Sequence, residues 1–152
     1  PPRQRNRGMN FTYKYPRPAV TVDAVVFSKT SESWQVLLIQ RKNEPFQNQW
    51  ALPGGFLDEN EDPDLAVHRE LKEETNLSGI ELLPLGFWGR PGRDPRGHTV
   101  SLAYRGIALA DEHSPHAADD AKAVAWFPVE KLPPLAFDHA AVVNAGIQHL
   151  AK

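Results

Sequence analysis

Apolar residues come in short runs separated by proline- and glycine-rich breaks, and the period of the runs changes along the chain. Val20 to Phe27 (VTVDAVVF) is β-branched, compact and too short for a helix, which predicts a strand. Val36 to Ile39 (VLLI) predicts a second, with the polar Ser28 to Gln35 as a hairpin loop between them. Arg41 to Gln49 is a polar loop that leads into the apolar Trp50-Ala51-Leu52 and a sharp turn at Pro53-Gly54-Gly55. Asp62 to Glu74 predicts a helix. Pro63 suits its first turn, Asp62 and Asp64 favour the N-terminal dipole, and Asn76 can take the left-handed conformation that ends it. Ile80 to Trp88 and Thr99 to Leu109 predict two more strands, joined by Gly89 to His98, which is too rich in glycine and proline to be regular. After a polar loop, Asp111 to Asp120, come a last strand at Ala121 to Phe127, turns from Pro128 to Pro134, and a closing helix from Asp138 to Leu150. Phe11 to Tyr15 alternates aromatic and polar until Pro16 and Pro18 stop it. Residues 1–10 read as a flexible N-terminal arm and residues 11–152 as a single domain without repeats or a linker. Strands and helices in this order imply an α/β fold, a mixed sheet covered by helices.

Composition narrows the picture mainly by exclusion. A chain of 152 residues with 41% hydrophobic and 24% charged positions is ordinary for a globular domain. Its net charge of −2 makes no electrostatic case for nucleic acid or an anionic membrane. The absence of cysteine removes disulfides, thiol catalysis and cysteine zinc sites. No apolar run approaches the ~20 residues of a membrane span, and the N-terminus lacks the apolar core of a signal peptide, so the expected location is the cytoplasm.

One stretch departs from the ordinary. Gly55 to Leu77 (GFLDENEDPDLAVHRELKEETNL) carries eight acidic residues in 23 positions. On a helix, Glu70, Glu73 and Glu74 fall within an arc of about 100° that also holds Ala66, Val67 and Leu71, with His68, Lys72, Thr75 and Glu61 on the other side. A solvated acidic face is the common meaning of such a charge run. Here the carboxylates share the face that meets the protein, and carboxylates are seldom buried unless paired or bound to metal. Hard cations take carboxylate and water oxygens, and the turn at Gly54 and Gly55 lets the backbone approach them.

The spacing is specific. Gly55, five residues, Glu61, seven residues, then Arg69-Glu70-Leu71-Lys72-Glu73-Glu74-Thr75-Asn76-Leu77 resembles the Nudix box, G-x5-E-x7-R-E-U-x-E-E-x-G-U with U aliphatic. Eight of nine defining positions match, and the exception is Asn76 in place of glycine. The resemblance implies an α/β/α sandwich on a mixed sheet and hydrolysis of a nucleoside diphosphate linked to another group, with Mg²⁺ or Mn²⁺. It implies Glu70, Glu73 and Glu74 as metal ligands, with Arg69 orienting them in a pair with Glu61. Gly54 or Gly55 would lend a carbonyl to the metal.

Substrate choice rests on other segments. Gly89 to His98 (GRPGRDPRGH) holds Arg90, Arg93 and Arg96, and arginine binds phosphate and carboxylate through paired donors. The alternative is a solvated loop that balances the acidic helix. Tyr15-Pro16-Arg17-Pro18, Trp50 to Phe56, Arg93 to His98 and Leu135 to His139 together are similar to ADP-ribose pyrophosphatases of the Nudix superfamily. Phe11, Tyr13 and Tyr15 could stack an adenine, or simply pack. His98 and His139 could touch phosphate or move a proton, and Asp119 and Asp120 could add an acid near the metal. The expected substrate is ADP-ribose, cleaved to AMP and ribose 5-phosphate. The rivals are another nucleotide sugar, a dinucleoside polyphosphate, an oxidised nucleotide, or a non-catalytic ADP-ribose sensor. The three glutamates and the lack of an appended DNA-binding domain weigh against the sensor. The expected partner is thus a nucleotide, with neither nucleic acid nor membrane, and a homodimer is an assembly frequent among such enzymes.

Overall fold

The computed structural model describes residues 10–109, 115, 117 and 121–150. The arm before Asn10 and the acids Asp119 and Asp120 lie outside the described residues. Seven strands form one mixed sheet: β1 (Ala19–Lys29), β2 (Trp34–Arg41), β3 (Trp50–Ala51), β4 (Gly54–Phe56), β5 (Leu83–Trp88), β6 (Thr99–Ile107) and β7 (Ala121–Pro128). Helix α1 spans Pro63–Thr75 and α2 spans His139–Ile147.

Period-two alternation in β1 decides which helix covers which face. Val22, Ala24 and Val26 pack with Ala66, Val67 and Leu71 of α1. Val25 and Phe27 point the other way and pack with Val142 and Val143 of α2. The result is a helix–sheet–helix sandwich in which β1, buried on both faces, is the apolar run that a central strand needs. β1 runs parallel to β6 and antiparallel to β2 and β4, so the sheet is mixed as expected.

The strands extend beyond the apolar runs that predict them. β1 and β2 close on a tight turn in which the Thr30 hydroxyl oxygen accepts from the Ser33 amide, leaving far less loop than Ser28 to Gln35. β5 begins only at Leu83, and the Glu81 carbonyl just before it lies against Gly106, in the space a Cβ would need. Helix α1 starts on Asp62, whose carboxylate accepts the Asp64 amide at 2.9 Å, and ends on Asn76 at φ 64°, which donates to the Lys72 carbonyl. Thr75 corrects the expected helix projection. One full turn from Leu71, it shares that residue's buried face, and its hydroxyl donates to the Leu71 carbonyl at 2.7 Å.

The feature that positions the site is a split in the sheet. β1 pairs with β2 only at Phe27–Lys29, and the two then diverge. β3 stays with β2 and β4 stays with β1, so the short bend Leu52-Pro53 spans the opening. The Pro53 carbonyl accepts from Ala24, and the Trp50 carbonyl accepts from Ala136, so both sides of the bend are tied down.

Candidate functional site

The open end of the split is a cleft of about 360 Å³. One wall is acidic. Glu70 and Glu74 project from α1 with relative exposures of 3% and 7%, against the glycines of β4. The Gly54 amide donates to Glu74 Oε1 at 2.7 Å. A Cβ on Gly55 would lie 2.6–2.7 Å from the Glu70 carboxylate, so glycine there makes the space the acid occupies. A Cβ on Gly54 would collide with the Val22 carbonyl and Asp23.

Arg69 gathers the acids around one guanidinium. Its Nε and Nη2 fork onto Glu61 at 2.6 and 2.8 Å, while Nη1 donates to Glu70 at 2.7 Å and to Glu73 at 3.0 Å. Nη2 also reaches the Phe56 carbonyl. Burial disfavours the charged guanidinium, but the hydrogen bond and charge of Glu61, with Glu73 and Asp58, outweigh it and hold Arg69 more firmly protonated than usual. One cation therefore offsets much of the repulsion among glutamates on adjacent turns, and Glu73 is held in the same group.

The floor is polar and comes from β1, β6 and the start of α2. Thr21 and Ser101 hydroxyls meet at 2.5 Å, and Asp23 lies beside them with its Oδ2 buried and lacking a hydrogen-bond partner. Burial pushes the Asp23 carboxyl above its ordinary range, against the opposing pull of His139. His139 is held below its usual value, first by burial. Its Nδ1 accepts the Leu52 amide at 3.0 Å, so it pins the bend between β3 and β4 in the neutral form.

The opposite wall is basic and aromatic. Arg96 forks onto the buried Asp94 and lies 4.8 Å from the Phe56 ring centroid and 5.5 Å from that of Phe137. Arg41 stands 5.0 Å over the same Phe137 ring, and its Nε donates to the Pro45 carbonyl. Burial, then the charge of Arg96, lowers the Arg41 pKa.

The expected residues are thus distributed unevenly. Glu70, Glu74, Gly54, Gly55, Arg93 and Arg96 line the cleft; Arg69, Glu61 and Glu73 lie behind its acidic wall. Arg93 spends its three nitrogens within the protein, on Asp138, Ser101 and the Thr99 carbonyl. Arg90, His98 and Tyr15 are exposed and do not line the cleft; His98 Nε2 bonds the Gly89 carbonyl. Phe11 and Tyr13 stack on one another, also away from the cleft. Asp23, Arg41 and Phe137 also line the cleft, although the sequence alone assigns none of them a role there. The available signals were a lone acid inside a β-branched run and an arginine closing an apolar strand.

The donor set fits a hard divalent cation. The orphaned Asp23 oxygen and the space that glycine leaves beside Glu70 are features a simple core would avoid. Among the described residues no three acids or histidines converge as a finished cage. Mg²⁺ needs none, since one or two carboxylates plus water and substrate phosphate complete its shell.

An acid-lined cleft in the split of a mixed sheet, fed by a glycine turn and an Arg-Glu helix, defines the class: the chain belongs to the NUDIX domain family, whose model matches residues 17–145. It is 42% identical over 130 residues to an ADP-ribose pyrophosphatase of Methanocaldococcus jannaschii, covering 86% of this chain and 73% of the relative. It is 38% identical over 137 residues to the ADPR responsive transcriptional repressor NtrR of Acinetobacter baylyi, covering 82% of this chain but only 51% of the repressor. Its fold superposes on the NUDIX domain of Shewanella oneidensis NrtR, solved in complex with ADP ribose, with a TM-score of 0.85. That pair is 30% identical and covers 96% of this chain and 97% of the other.

Proposed function

We propose that this chain hydrolyses ADP-ribose to AMP and ribose 5-phosphate, with Mg²⁺ as the working cation and Mn²⁺ as a substitute. The enzyme class is a Nudix pyrophosphohydrolase, as the family match and the archaeal relative establish. The observation that carries the reading is the cleft itself: buried Glu70 and Glu74 line the same space as Arg41 and Arg96.

Water adds to one phosphorus of the diphosphate, and the bridging oxygen leaves with the other phosphate, so each product keeps a monophosphate. Glu70 and Glu74 would hold the cation, with Glu73, held beside them by Arg69, as the third carboxylate of the set. When bound, it supplies charge neutralisation at the diphosphate and acidifies water. Arg69 keeps the carboxylates aimed, and Gly55 leaves Glu70 its place. Arg41 lines the same cleft as Arg96 and would meet the diphosphate there as a second guanidinium. Arg93 builds the floor by joining the β5–β6 loop to Asp138 at the start of α2.

A second reading is favoured by the repressor relative: a domain that binds ADP-ribose and leaves it intact. The complete Glu70, Glu73 and Glu74 set supports turnover. A panel of nucleoside diphosphate compounds incubated with Mg²⁺, with products separated by ion exchange, decides between them. AMP and ribose 5-phosphate from ADP-ribose is the expected result; tight ADP-ribose binding without products favours the sensor. A cysteine-free chain acting on a nucleotide fits the cytoplasm, and among the described residues no helix is long and apolar enough to cross a membrane.

A further inference from the structure

Next to the cleft lies a shallow, mainly apolar groove lined by Glu44, Pro45, Phe46, Pro95 and Arg96. Glu44 and Arg96 line both, so the two spaces adjoin. The backbone at Phe46 is unusual. Among the described residues five non-glycine positions have positive φ: Phe46 (59°), Asn48 (70°), Asn60 (60°), Asn76 (64°) and Phe137 (53°). Asparagine suits that conformation and a bulky aromatic does not. The two phenylalanines are neighbours, with ring centroids 4.7 Å apart and planes inclined by 59°. Both also rest on the small apolar cluster of Ile39, Ala51, Ala121 and Ala136. Packing on small residues explains an apolar side chain there, but not the choice of a ring at a conformational cost of about 1–3 kcal/mol each. Strained residues of this kind gather at ligand clamps.

The charges around the rings say what the groove admits. Arg96 is immobilised by its fork onto Asp94, so a cation is fixed at the junction of groove and cleft. The Glu44 carboxylate on the groove wall disfavours a phosphate there and can accept from an amine. A neutral, flat, π-rich group carrying an exocyclic amine and joined to a diphosphate fits both ends.

We infer that Phe46, backed by Phe137, is the stacking wall for the adenine of the substrate. The base lies in the groove between Pro45–Phe46 and Pro95–Arg96, and the diphosphate runs back toward Glu70. Phe46 is thus a specificity-determining residue. The inference rests on the ADP-ribose reading and locates one part of that substrate.

The test uses the two products, bound separately in the presence of Mg²⁺ and measured by titration calorimetry. Phe46→Asn folds, because asparagine takes the φ that phenylalanine strains, and it lowers AMP affinity by about tenfold, the scale of one lost base–aromatic stack. Ribose 5-phosphate affinity is unchanged, and Phe46→Tyr keeps AMP affinity near that of the wild type. In the wild-type protein the H2 and H8 proton resonances of AMP move upfield on binding, a readout that needs no variant. Wild-type AMP affinity in Phe46→Asn, an equal loss for both ligands, or no upfield shift overturns the subsite. If ADP-ribose is hydrolysed but AMP is indifferent to Phe46, the subsite alone fails. If AMP stacks and ADP-ribose stays intact, the hydrolysis reading alone fails.

Discussion

Gly54 and Gly55 are adjacent and look equivalent, yet a methyl group on each would meet different things. At Gly55 it would meet the Glu70 carboxylate, the movable end of a side chain. Gly55→Ala is therefore expected to keep the fold and to lose about 10²-fold in turnover, the scale of a displaced reacting group. At Gly54 it would meet the Val22 carbonyl, which is fixed in β1. Gly54→Ala is expected to cost about 3 kcal/mol of stability, read by urea unfolding. Equal stability losses in both would contradict this division. Single residues were legible in the sequence where a motif at fixed spacing named them, as with Arg69 on Glu61. They were illegible where function depends on a backbone angle or on a neighbour distant in sequence. Phe46 and Phe137 are 91 positions apart in the chain, and nothing in either segment announces a positive φ. Arg93, read as a substrate arginine, lies with all its nitrogens engaged because Asp138, 45 residues later, folds beside it.

At the scale of elements, the long strands and α1 were legible because each carries its own period and, for the helix, its own caps. β3 and β4 were not, since two and three residues cannot show a period. Their pairing comes from the divergence of β1 and β2, a property of the whole sheet. The start of α2 shows a related trade. Asp138 is its N-cap residue but makes no side-chain cap bond, because both carboxylate oxygens accept from Arg93, at 2.6 and 2.8 Å. Burial raises the Asp138 pKa, but the hydrogen bonds and charge of Arg93 outweigh it and hold the folded value below the ordinary one. A depressed carboxyl pKa means the stabilisation is present above the unfolded value of about 3.9 and is lost as pH falls through the folded value. Asp138→Asn is thus expected to lower stability by about 2 kcal/mol at pH 7, by leaving buried Arg93 short of an acceptor. Urea unfolding of both proteins from pH 7 to pH 3 checks this: the gap narrows toward the acid end, and a gap independent of pH contradicts it.

For the whole molecule, the two helices cover opposite faces of one sheet, and the split between β1 and β2 opens at the end where α1 brings its acids. Helix α1 meets the core through Ala66, Val67 and Leu71 rather than through its acids, so the fold is expected to stand without a cation. Chelation with EDTA is expected to abolish turnover and leave a cooperatively folded protein. Restoring Mg²⁺ at a hundredfold excess over its Kd raises the melting temperature by on the order of 5 °C. A melting temperature indifferent to Mg²⁺ would deny the cation its place among these residues.

The most direct measurement is the rate of AMP release from ADP-ribose with saturating Mg²⁺, in the wild-type protein and in Glu70→Gln and Glu74→Gln, with ADP-ribose affinity determined alongside. Turnover by the wild type and a loss of about 10²–10⁴-fold in each variant, with the fold intact, are expected. Undiminished rates in both variants, or a wild-type protein that binds ADP-ribose and releases no AMP, would contradict this expectation.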